Sequence, residues 1–133
     1  MDDLKELIEL AEYKSKIDKK RGEEKYFDFN WLLDEISSEI LEVKEEIKPN
    51  NMPYLEDELG DIFWGWLILV QKLKEKGLVT SHQKIIKRAL KKYKERILPL
   101  KGSKEDYKIW QEVKDKQKIA LEKELNELLV ISK

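Results

Sequence analysis

Apolar residues recur at helical spacing in five separated stretches of the chain. Leu4, Leu7, Ile8 and Ala11 predict a first helix over 3–18, and the aperiodic stretch Lys19 to Asn30 reads as a loop. A second helix is predicted over 31–47, with Asp28 or Asn30 as its N-cap, and Lys48-Pro49-Asn50-Asn51 ends it. The third starts near Pro53 and stops near Gly77, a good first-turn residue and a good C-cap. The fourth follows Thr80 or Ser81 and runs to Ile97, where Pro99 and Gly102 break it. The fifth begins at Ser103, whose spacing to Asp106 resembles a capping box, and continues towards Val130. No internal repeat is visible.

The third helix is the expected centre of the fold. Its run Ile62 to Val70 is apolar on every face and must be covered on all sides. That requires several helices around it, with a second subunit supplying part of the cover. The expectation is an all-α, multi-helix bundle of about five helices with a central antiparallel helical hairpin, oligomeric because such short helices leave apolar surface exposed. The run is about half of a membrane span, so no membrane partner is expected. Trp31, Trp64 and Trp66 read as core. Gly65 inside the run costs about 1 kcal/mol relative to Ala, which implies close approach of another helix or a ligand.

Composition narrows the chemistry. At 133 residues the chain reads as a single domain, 1–133. Lys and Arg number 27 against 28 Asp and Glu, which argues against a nucleic-acid partner. The absence of Cys removes disulfides, thiol nucleophiles and Cys-ligated zinc. The one His, His82, near a helix start, reads as an exposed or capping residue. Gly-rich phosphate loops are missing. The opening Met-Asp-Asp-Leu-Lys carries acid where a signal peptide would carry base, so a cytoplasmic protein is expected.

The acids are arranged. Glu35, Glu39, Glu42 and Glu46 fall on one stripe of the second helix, bordering the apolar stripe Ile36, Ile40, Val43 and Ile47. Glu58 and Asp61, three apart, share a face of the third helix. In an antiparallel hairpin Glu42 and Glu58 each stand about 8 Å from the connection, and Glu39 and Asp61 about 12 Å from it. The four carboxylates therefore meet in two matched layers. Clustered carboxylates repel unless a positive charge sits among them, and a hard divalent cation suits oxygen ligands.

The string Glu39-Ile-Leu-Glu42, a spacer of 15 residues, and Glu58-Leu-Gly-Asp61 resembles the MazG family of all-α nucleoside triphosphate pyrophosphohydrolases, whose signature is E-x-x-E followed by E-x-x-D. Downstream, Lys92-x-x-x-Arg96 with Pro99, and Trp110-x-x-x-Lys114, are similar to the family's K-x-x-R-R-x-P and W-x-x-x-K segments. The chain departs from the family at Lys25 to Asn30, which stands where many members carry C-P-W-D-x-x-Q-T. The resemblance implies magnesium-dependent hydrolysis of a nucleoside or deoxynucleoside triphosphate to monophosphate and pyrophosphate, in nucleotide-pool housekeeping. It implies Glu39, Glu42, Glu58 and Asp61 as catalytic metal ligands for Mg2+, with Mn2+ as a substitute. It implies Lys92, Arg96, Trp110 and Lys114 as substrate contacts, and a homodimer or homotetramer.

The charge balance agrees with that chemistry. Two metal ions about 4 Å apart can activate a water and stabilise the leaving pyrophosphate. Four carboxylates and a triphosphate against two magnesium ions leave an excess of about four negative charges, which calls for Lys or Arg nearby. Lys92 and Arg96 flank the fourth helix's apolar stripe of Ile85, Ile86, Ala89, Leu90, Tyr93 and Ile97. An Arg at the margin of a core calls for an anionic partner or ligand. The rival readings are a related all-α pyrophosphohydrolase acting on dUTP or phosphoribosyl-ATP, and a non-catalytic helical interaction module.

Overall fold

The computed structural model describes residues 2–131, and every regular element in them is helical. Helix α1 spans Asp3–Arg21, a 3-10 turn spans Glu24–Phe27, and α2, α3, α4 and α5 span Phe29–Glu46, Met52–Glu75, His82–Ile97 and Asp106–Ile131. The chain divides into two compact units, Met1–His82 and Gln83–Lys133.

In the first unit α3 packs against both α2 and α1. Residues Ile8, Ala11, Ser15 and Asp18 of α1 are buried at three- and four-residue spacing, so one stripe faces inward. Helix α1 runs three residues beyond its expected end. It stops at Gly22, whose left-handed backbone (φ 71°) lets its N–H reach the carbonyls of Asp18 and Lys19. The Asp28 carboxylate caps α2 by accepting from the backbone N–H groups of Asn30 and Trp31, at 2.9 and 3.4 Å. The α2–α3 turn is tied by Asn51, whose Nδ2 donates to the Glu46 carbonyl at 2.8 Å and to Glu46 Oε2 at 2.7 Å.

Ile8, Ala11, Leu32, Leu67 and Ile68 form the core, with Trp31, Trp64 and Trp66 packed against it. Each large aliphatic side chain contributes about 1.5–3 kcal/mol when fully buried. The cover expected around Ile62 to Val70 is incomplete: Leu67, Ile68 and Val70 are buried, whereas Phe63 is 41% exposed. The apolar stripe of α2 is also only half covered, with Ile36 and Val43 partly buried and Ile40 and Ile47 exposed. Among the described residues, the principal neighbours of α2 are α3 and the 3-10 turn, which leave its far side uncovered.

His82 corrects an expectation. It is fully buried, its Nε2 is 2.8 Å from the Leu67 carbonyl, and its ring meets Trp66 edge-on at 5.9 Å. In the second unit the capping box expected at Ser103 is replaced. Helix α5 starts at Asp106, whose carboxylate accepts from the backbone N–H groups of Lys101 and Gly102 at 2.9 and 2.7 Å. These bonds hold the Asp106 carboxyl below the usual range despite opposing burial. The pairs Arg88 with Glu124 and Arg96 with Gln117 set α4 and α5 antiparallel. Of the α4 stripe, Ile85 and Ile86 are partly buried, but Leu90, Tyr93 and Ile97 remain exposed.

Candidate functional site

The α2–α3 hairpin brings the acids together. One carboxylate oxygen from each of Glu39, Glu58 and Asp61 lies within 4.8 Å of the other two. Glu42, one turn along α2 from Glu39, is not among the three converging oxygens, but its carboxyl raises the proton affinity of both Glu39 and Glu58. Glu39 and Glu58 are half-buried, and Glu42 and Asp61 are exposed. Glu35 is exposed, and the Glu46 carboxylate is engaged by Asn51 in the turn.

No described cation is ion-paired with any of the four. Burial, then the adjoining Glu42 carboxyl, then the charges of Asp61 and Glu58 push the Glu39 carboxyl up to about 7. The same causes raise Glu58, through burial first and then Glu42, Asp61 and Asp57. Two facing carboxylates can hydrogen-bond only while one holds a proton. Glu39 Oε2 and Glu58 Oε2 are buried and have no hydrogen-bond partner among the described residues. An unpaired buried charge of this kind is costly. A divalent cation among four carboxylates would remove the repulsion and satisfy both orphaned oxygens.

The remaining residues singled out by the sequence lie in the second unit. Arg96 is half-buried, and its Nε donates to Gln117 Oε1 at 2.8 Å. Its guanidinium lies 5.3 Å from the Trp110 ring centre and 5.8 Å from that of Tyr93. The anionic protein partner that its position suggested is therefore replaced by an amide and two aromatic faces. Lys92 is exposed, with its ammonium 5.6 Å from the Tyr93 ring centre. Trp110 is half-buried, and Lys114 is exposed one turn further along α5.

Beside the site, Gly65 makes the close approach to another helix that its place in the apolar run implies. Gly65 of α3 faces Ile36 of α2, such that a Cβ on Gly65 would lie 2.9 Å from Ile36 Cγ1. The unusual glycine in an apolar helix was the available signal; its partner was not readable without the packing.

An all-α hairpin that gathers acids with no described cation paired to them offers an oxygen donor set of the kind that suits a hard divalent cation. Residues 27–97, more than half of the chain, match the family model of the MazG nucleotide pyrophosphohydrolase domain. The chain belongs to that family. No curated protein and no solved structure gives a match.

Proposed function

We propose that this protein hydrolyses a nucleoside or deoxynucleoside triphosphate to the monophosphate and pyrophosphate, using Mg2+ held by Glu39, Glu42, Glu58 and Asp61. The observation that carries this reading is the convergence of the Glu39, Glu58 and Asp61 carboxylates with no described cation paired to them and with two buried oxygens left unpartnered. Their donor set is oxygen only, which suits Mg2+ and accepts Mn2+. A metal held there would lower the pKa of a bound water and neutralise phosphate charge.

The chain's own part is positional. Glu39 and Asp61 form one layer of ligands and Glu42 and Glu58 the next, so the cluster presents a fixed face on a rigid hairpin. Glu39, whose carboxyl burial and its acid neighbours push up to about 7, would hold a cation only in its deprotonated form. For Lys92, Arg96, Trp110 and Lys114 the proposed role is substrate contact: cations for phosphate oxygens and an indole for a base. The proposed setting is cytoplasmic nucleotide-pool housekeeping by a homodimer or homotetramer. The exposed Leu121, Leu125 and Leu128 of α5 support self-association. No described helix is long and apolar enough to cross a membrane.

The test is an assay of each common ribo- and deoxyribonucleoside triphosphate with Mg2+, reading pyrophosphate and monophosphate separately. The reading expects both products in equal amounts from at least one triphosphate and none without the metal. Release of orthophosphate alone, or no turnover of any triphosphate, contradicts it.

A further inference from the structure

One turn along from the acids, the two helices of the hairpin nearly touch. A Cβ on Gly65 would stand 2.9 Å from Ile36 Cγ1, 3.7 Å from its Cδ1 and 4.0 Å from its Cβ. The first distance is well inside the about 3.5–4.0 Å at which carbon atoms settle. Ile36 cannot swing aside easily, because Cγ1 is bonded directly to the branched Cβ and a β-branched side chain in a helix has one strongly preferred χ1. Gly60, the other glycine of α3, meets nothing within 4 Å. The packing therefore requires a glycine at 65 and not at 60.

Position 65 lies four residues after Asp61, and Ile36 lies three before Glu39. On antiparallel helices the layers succeed one another as Ile36 with Gly65, Glu39 with Asp61, and Glu42 with Glu58, each about one turn apart. We propose that Gly65 is a positioning residue for the carboxylate site: the absence of a side chain there fixes the α2–α3 separation at which acids from both helices reach the same cation. This rests on the metal-site reading above. Gly65→Ala drives a wedge between the helices one turn from the Glu39–Asp61 layer, although alanine itself favours the helix by about 1 kcal/mol.

The experiment is a Mn2+ titration of the full chain by calorimetry, without nucleotide, on six proteins: wild type, Asp61→Asn, Gly60→Ala, Gly65→Ala, Ile36→Ala and the double variant Ile36→Ala/Gly65→Ala. Outer residues that orient metal ligands typically carry about 10–100-fold in affinity, and Gly65→Ala is expected to lose about tenfold or more. Gly60→Ala, in the same helix and nearer the acids, is expected to bind as wild type. Ile36→Ala removes the clashing Cγ1, so it should restore binding in the Gly65→Ala background while giving no gain in the wild type. That dependence on the background would not arise from a general loss of stability. If Gly65→Ala does not fold, the double variant decides: wild-type affinity supports the proposal, and tenfold weaker affinity or failure to fold overturns it. Wild-type binding by Gly65→Ala, or no restoration by Ile36→Ala, overturns the role of Gly65 alone. No Mn2+ binding by the wild type, or binding untouched in Asp61→Asn, overturns the metal site itself and the inference with it.

Discussion

Towards the end of α3, Lys72 is buried with its ammonium 3.0 Å from Asp18 Oδ2 and 2.9 Å from Ser15 Oγ, and 4.1 Å from the centre of the Phe27 ring. Ser15 in turn donates to Glu75, which also pairs with Lys19 at 3.0 Å, while Lys14 bonds the other oxygen of Asp18. Towards the start of the same helix, Glu58 and Asp61 meet Glu39 and Glu42 with no described cation paired to any of them. The first cluster is closed: each buried charge has an opposite charge and hydrogen bonds. The second is open. The contrast teaches that this fold pairs its charges where they serve only the fold; under the proposed function the open cluster is the one left for a cation to complete.

The largest effect should come from breaking the closed cluster. Lys72→Met leaves Asp18 buried without its ammonium partner, and removing one member of a buried pair costs about 3–5 kcal/mol. The double variant Lys72→Met/Asp18→Leu should recover much of that in denaturant unfolding. If Lys72→Met unfolds at the wild-type denaturant concentration, the cluster is not the structural anchor described.

The open cluster should behave in the opposite way. Asp61→Asn is expected to lower pyrophosphate release by about 100-fold or more, equivalent to about 2.7 kcal/mol in the barrier, while leaving the metal-free fold as stable as wild type or more so. A loss of stability comparable to that of Lys72→Met would erase the distinction between the two regions.

The pH dependence sharpens it further. Glu39 holds its proton more tightly in the folded protein, up to about 7, than in an unfolded chain. Between the ordinary glutamate range and that value the folded state binds more protons, so its stability falls as pH rises. The metal-free melting temperature should drop by a few degrees from about pH 5 to about pH 8, and Glu58 adds in the same direction. Glu75 does not mask this. Its carboxyl is held low, burial being outweighed by Ser15 and Lys19, so its stabilisation is complete above the ordinary range and is lost only in acid. Mn2+ should abolish the drop, and Glu39→Gln should flatten it. The smallest effect should be that of Arg96→Ala on stability, about 1 kcal/mol for one hydrogen bond and its ring contacts. Its KM for the triphosphate should rise by more than its kcat falls.

Much of this is legible in the sequence. Helical periodicity located five helices, because breakers such as Pro49, Pro99 and Gly102 interrupt otherwise continuous patterns. The matched heights of Glu39 with Asp61 and Glu42 with Glu58 follow from residue rise alone once the hairpin is antiparallel. The closed cluster was not legible. Lys72 stands among other lysines, Asp18 lies at the end of a polar stretch, and only the packing of α1 on α3 selects them as partners. His82 was misjudged because a helix-start position says nothing about the Trp66 ring and Leu67 carbonyl that enclose it. The Ser103 capping box failed because Asp106 already satisfies the N–H groups of Lys101 and Gly102.

Crystals grown with Mn2+ and measured at the manganese absorption edge test the central claim most directly. An anomalous peak between Glu39, Glu42, Glu58 and Asp61, with carboxylate oxygens at bonding distance from both helices, is the predicted result. Well-ordered carboxylates with no anomalous density among them, at millimolar Mn2+ and pH 8, would contradict it.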